Sequence, residues 1–157
     1  MTVTEIVQIT SGFVGSIGFA TLFNIRGKKF IAVSVGGLIS WFLFVVLSRW
    51  IPSEPINYFV VACSISAYSE IMAIVLKTPA ATFVTTSLIP LIPGGSLYYT
   101  MSHAFSGNSE LFLQKAISTL KLSAALALGI IISSTCARLL HKALNKRAKK
   151  ATAQSEH

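Results

Sequence analysis

The sequence predicts an all-α integral membrane protein with about five transmembrane segments, and three observations predict it. Only 11% of the 157 residues are charged, where a soluble domain carries about 25%. The mean hydropathy is +0.70. The charges are also bunched: residues 6–25, 30–48, 55–69, 78–109 and 122–137 hold no Lys, Arg, Asp or Glu. About 20 mostly apolar residues cross a bilayer as a helix. An ordinary cytosolic enzyme is excluded, because five acidic residues, all Glu, cannot clothe a soluble globule of this length. A disordered chain is excluded too, since it needs low hydrophobicity and high charge. The segments fall at 6–24, 30–48, 58–76, 80–104 and 113–137. Residues 1–140 form one transmembrane domain, and 141–157 form a basic cytoplasmic tail that is expected to be flexible.

Orientation follows from Lys and Arg, which collect in short cytoplasmic loops. Arg26, Lys28 and Lys29 share one connection, and Lys77 sits in another. Arg138, Lys142, Lys146, Arg147, Lys149 and Lys150 form the tail. Five helices put these three places on one side. The N-terminus is then outside and the C-terminus inside. The same tail reads as a lipid-touching anchor. Nucleic-acid binding is not expected, because no aromatic residues interleave the basic ones.

The first segment is read as a span and not as a signal peptide, because Met1–Glu5 has no positive residue. Gly12, Ser16 and Ala20 recur at every fourth position, so small residues line one helix face. Such a face lets helices approach closely in lipid. Asn24, ahead of Gly27, marks a helix end. The second segment holds Gly36-Gly37 and Trp41, and Trp50 beyond it fits an interfacial belt.

The third segment contains Glu70, about six residues or 9 Å from its inner end. A carboxylate at membrane depth is expensive and is by default a functional candidate. Cys63, Ser66, Glu70 and Lys77 share one side of the helix. Two readings stand: Glu70 carries a proton or cation along a polar face, or it forms a structural ion pair such as one with Lys77. Cys63 and Cys136 read as small core residues, with no metal or disulfide spacing.

The fourth segment is interrupted. It runs Thr78-Pro79, then Ile89-Pro90-Leu91-Ile92-Pro93-Gly94-Gly95-Ser96, then Leu97-Tyr98-Tyr99. Thr78 suits an N-cap and Pro79 a first helical residue. Pro90 and Pro93 each remove a backbone donor, and the glycines loosen the chain. The segment is therefore expected to break at Pro-Leu-Ile-Pro-Gly-Gly. Ser96 would cap a second half-helix to Phe105. Irregular backbone at membrane depth survives where it is buried in protein or lines a cavity. A half-helix N-terminus there presents free N–H groups and a positive dipole end to an anionic group. Pro90, Pro93, Gly94, Gly95 and Ser96 are the expected substrate-binding residues.

The fifth segment has Lys115 and Lys121 near its outer end, where both can snorkel. Lys121 is a second candidate for ion coupling, although membrane depth separates it from Glu70. No phosphate loop, nucleophile elbow or His/Cys/Asp cluster occurs, and His103, His141 and His157 are scattered. No enzyme activity, cofactor or metal is expected.

The run Ser69-Glu70-Ile71-Met72-Ala73, Lys77-Thr78-Pro79-Ala80, Phe83, Ile89-Pro90-Leu91-Ile92-Pro93-Gly94-Gly95 and Tyr98-Tyr99-Thr100-Met101 resembles the threonine/serine exporter family. It is similar to the short, stand-alone C-terminal type. Gly18-Phe19-Ala20, Leu22-Phe23-Asn24, the basic turn and Trp41 match the first half of that type. The resemblance implies a subunit of the bacterial inner membrane that works with a longer exporter half. It implies proton-motive export of threonine and serine, and some members are associated with small dicarboxylates. It also adds weight to Glu70 and the Pro90–Ser96 break, but says nothing of Lys121. The reading from a different class is a holin-like or scaffold membrane protein, which needs neither an intramembrane Glu nor a broken segment.

Overall fold

A computed structural model describes residues 3–155 and the side chains as far as Leu140. Among the described residues it is all helical: α1 (Val3–Leu22), α2 (Lys28–Leu47), α3 (Glu54–Leu76), α4 (Ala80–Leu88), α5 (Gly94–Phe105) and α6 (Ser109–Ser155), with one 3-10 turn at Ile89–Leu91. α1, α2, α3 and the Ser109–Leu140 part of α6 are long and apolar enough to cross a membrane. The α4 and α5 pair makes a fifth crossing if counted as one span, bent by 56°. The helix of α6 continues through the basic stretch. The expected flexibility of that tail falls on side chains outside the described ones.

The helix ends have local causes. After α1, the Ile25 N–H donates to the Ala20 carbonyl and the Asn24 N–H to that of Thr21. Asn24 is left-handed, at φ 53°. This is the Schellman pattern, and its apolar contact is present because Ile25 and Ala20 share one buried cluster. α3 ends similarly, with Lys77 left-handed at φ 48° and the Thr78 N–H bonded to the Ala73 carbonyl. The side chain of Asn108 caps α6 by accepting from the Leu111 N–H.

Thr78 is not the cap of α4. Pro79 holds that place in an extended conformation, φ −55° and ψ 132°, and Ala80 starts the helix. A residue before proline is pushed out of the helical region. The Thr78 hydroxyl instead donates back to the Leu76 carbonyl.

Two clusters hold the bundle. Tyr58, Val61, Ala62 and Ile65 of α3 meet Leu88, Leu91 and Leu122, Leu126 of α6. Ala20, Ile25, Val33 and Phe83 meet at the other end. Between them the helices touch through small residues. Gly12 lies under the indole of Trp41, Gly37 against the hydroxyl of Ser16, and Gly36 against Ser87 and Tyr68. A Cβ at Gly129 would stand 2.7 Å from that of Ala62 and 2.8 Å from the Phe59 carbonyl. In lipid such close approach supplies much of the association, because the apolar effect does not draw helices together there. α5 packs against α6 and, among the described residues, no other helix.

Candidate functional site

The broken span is built at Pro93. Its φ of −73° and ψ of 61° fit the centre of an inverse γ-turn. The bond that closes such a turn is present, with the Gly94 N–H donating to the Ile92 carbonyl at 2.6 Å. Pro90 does not break the chain. It sits in the 3-10 turn that continues α4, and the Ile92 N–H closes that turn onto the Ile89 carbonyl at 3.1 Å. The freed carbonyl of Pro90 is satisfied from another helix, by the indole N–H of Trp41 at 3.1 Å. The bend therefore lies at Ile92–Pro93, two residues later than the first proline suggests.

Ser96 is not an N-cap. α5 starts at Gly94 with Pro93 in the cap position and no side-chain cap bond. Ser96 thus lies inside the first turn, where its carbonyl accepts from the Thr100 hydroxyl at 2.8 Å. The first-turn N–H groups of Gly95 and Ser96 have no intrahelical acceptor. Gly94 and Gly95 are exposed, and a Cβ on either would meet nothing within 4 Å. Neither has a positive φ. Packing and local conformation thus leave these two glycines unexplained, unlike Gly12, Gly36, Gly37 and Gly129.

A cleft of about 370 Å³ opens beside the bend between α4 and α6. Ile92 and Pro93 line it with Leu88, Leu126 and the hydroxyl-bearing Thr85 and Ser123. A second hollow of about 310 Å³ gathers Thr82, Thr85 and Thr86 of α4 beside Phe23 and Ile25.

Glu70 is half-buried. It continues the face of α3 that meets α6, where Ser66 and Ser134 share a hydrogen bond at 3.1 Å and the Ser133 hydroxyl donates to the Cys63 carbonyl. Lys77 makes no ion pair with it; the ion pair among the described residues joins Arg49 to Glu5 at 2.6 Å. Met72 and Ala73 pack on the cluster that holds Phe83, Ile65 shares the other cluster with Leu88 and Leu91, and a three-residue link joins the two helices, so α3 runs antiparallel to α4. That register puts Glu70 about seven residues, or about 10 Å, nearer the α3–α4 turn than Pro93. The carboxylate and the bend therefore share a bundle, and Glu70 lines neither of these two hollows.

Lys121 is exposed on α6 in a separate hollow with Gln114, Lys115 and Ser118. The structure does not bring it to Glu70 or to the bend. Cys136 is exposed and not a core residue, while half-buried Cys63 donates to the Gly129 carbonyl. Gly12, Ser16 and Ala20 are all buried against α2. Among the described residues no group of His, Cys, Asp and Glu is arranged to hold a metal.

The family model for "Threonine/Serine exporter, ThrE" matches residues 8–136. The chain belongs to the threonine/serine exporter family. That stretch takes in all or most of each helix that can cross the membrane, the bend and Glu70. No curated protein and no solved structure matches the chain. As a member of this exporter family, the protein is a multi-pass membrane exporter.

Sequence reasoning missed the polar seam between α1, α2 and α4. Its signal was present in Gly36-Gly37 and in the hydroxyl run Thr85-Thr86-Ser87. It takes the fold to show that these two stretches face each other.

Proposed function

We propose that this chain is one subunit of a proton-driven exporter of threonine and serine. It sits in the bacterial inner membrane with its N-terminus outside and works with a longer exporter-family partner. The substrate carboxylate binds at the bend, on the N–H groups of Gly95 and Ser96. Glu70 exchanges the coupling proton. The observation that carries this reading is the uncovered N-terminus of α5. Two glycines hold the backbone bare there without any packing need, and a helix N-terminus favours an anionic group. Family membership supports export as the activity. The Lys and Arg distribution supports the orientation.

The test is efflux from cells preloaded with labelled threonine, in a host lacking its own copy of the gene. Glu70→Gln at wild-type abundance is expected to abolish coupled efflux. Full efflux from that variant would remove the coupling role. The purified chain alone in liposomes is expected not to export, and export by it would remove the need for a partner. Labelled succinate in the same vesicles separates the amino-acid substrate from a dicarboxylate.

A further inference from the structure

Most buried or half-buried hydroxyls in this bundle satisfy themselves locally. Those of Ser34, Thr86, Thr100 and Thr119 each donate to the carbonyl four residues earlier. Ser16, Ser40 and Ser69 do not. Each is wholly buried, and each Oγ lacks a hydrogen-bond partner. They come from three different helices, and the helix pairings set them at successive levels along the bundle. Ser16 Oγ lies on Gly37. Ser40 is one turn further along the same face of α2. Ser87 lies on Gly36, and its hydroxyl reaches the Val33 carbonyl at only 3.4 Å. The antiparallel register of α3 on α4 sets Ser69 level with Ser87.

Read along the bundle axis, the order is Glu70, then Ser69 and Ser87, then Ser16 on Gly37, then Ser40, then Trp41 on the Pro90 carbonyl. These levels span the about 10 Å between the carboxylate and the bend. Buried polar groups in native proteins are paired with protein or with ordered water. An unpaired one is costly, and packing does not explain three of them in one bundle.

We propose that Ser16, Ser40, Ser69 and Ser87 form an internal hydroxyl file. It holds ordered water and conducts protons between Glu70 and the bend. The file rests on the coupling role proposed for Glu70 and adds the route by which that residue communicates with the substrate. Gly36 and Gly37 keep side chains out of the file. The hydroxyls donate and accept in turn, so a proton passes with no net change in the file.

The test replaces Ser69 and Ser16 by alanine, singly and together, in the threonine-efflux assay. Thermal unfolding of each variant is followed in detergent. Losing one link of the relay is expected to slow efflux by about tenfold, while each variant still unfolds in one cooperative step. Ser69→Thr restores the hydroxyl and is expected to restore the rate. Efflux within about twofold of wild type for the double alanine variant would overturn the file, whatever Glu70→Gln does. A Ser69→Thr variant that folds as well as wild type but exports no faster than Ser69→Ala would overturn it too, because the hydroxyl would then not be what the relay needs. Normal efflux from Glu70→Gln bears on the coupling residue and is read independently of the serine variants.

Discussion

The indole N–H of Trp41 donates to the carbonyl of Pro90 at 3.1 Å, and the same ring covers Gly12. One side chain from α2 thus ties α1 to the last turn before the bend. Proline leaves unpaired backbone carbonyls in a helix, and at membrane depth another element must satisfy them. Trp41→Phe keeps most of the ring but removes the donor. It is expected to cost about 1 kcal/mol of stability. Efflux should fall further than stability does, because the bend loses its fixed position. Equal unfolding midpoints for Trp41→Phe and wild type in a detergent titration would count against the tie.

The glycines divide into two groups with opposite expectations. Gly37 faces Ser16 so closely that an added methyl must push α1 away from α2. Gly37→Ala is expected to lose about 1–3 kcal/mol by overpacking. Gly18 meets nothing within 4 Å. Gly18→Ala is expected to gain about 0.5 kcal/mol, since alanine loses less chain entropy in a helix. Comparing the two variants by thermal unfolding checks the packing of α1 on α2.

Much of this fold is written in local pattern. The uncharged runs give the spans, Asn24 gives a helix end, and the Pro-Leu-Ile-Pro-Gly-Gly stretch gives the interruption, since each acts through neighbours a few residues away. The place of the bend is less legible. Two prolines look alike in sequence, and only the 3-10 geometry shows that Pro90 continues α4 while Pro93 turns it. Contacts such as Trp41 with Pro90 and Ser87 with Gly36 link residues about fifty positions apart. They depend on which helices are neighbours, and apolar periodicity in lipid does not specify that. Lys121 illustrates the limit on the other side. The structure puts this charge on an exposed face of α6, apart from Glu70 and the bend, a placement that the sequence alone does not give.

The close contact of α3 with α6 gives a further test. Gly129 admits the backbone of Phe59 and Cys63, with the Ser66–Ser134 hydrogen bond one turn beyond. Gly129→Leu is expected to separate the two helices and destabilise the protein by more than about 3 kcal/mol, at or beyond the upper end of overpacking costs. Ser134→Ala should cost only about 1 kcal/mol, because Ser66 then loses a single neutral partner. Similar losses from the two variants would mean that the helices do not meet at Gly129.

The orientation is checked by single cysteines in a chain whose Cys63 and Cys136 are replaced by alanine. Lys28→Cys lies at the start of α2, beside the turn from α1, and Ser53→Cys lies between α2 and α3. An impermeant thiol reagent applied to intact cells is expected to label position 53 and spare position 28. The reverse pattern would invert the protein and place the Lys and Arg cluster outside, against the usual distribution.

Gly94 and Gly95 carry the most direct test of the substrate site. Both are exposed, neither has a positive φ, and a Cβ at either meets nothing in the protein. Alanine at these positions is therefore expected to leave stability unchanged or raise it by about 0.5 kcal/mol. The same methyl stands beside the N–H groups of the first turn of α5, where a bound carboxylate must come close. Gly95→Ala is expected to raise the concentration of threonine needed for half-maximal efflux by about tenfold, equivalent to about 1.4 kcal/mol of binding. Gly18→Ala, remote from the bend, should leave that concentration unchanged. A Gly95→Ala variant that is as stable as wild type and exports with unchanged concentration dependence would show that the substrate does not approach this backbone.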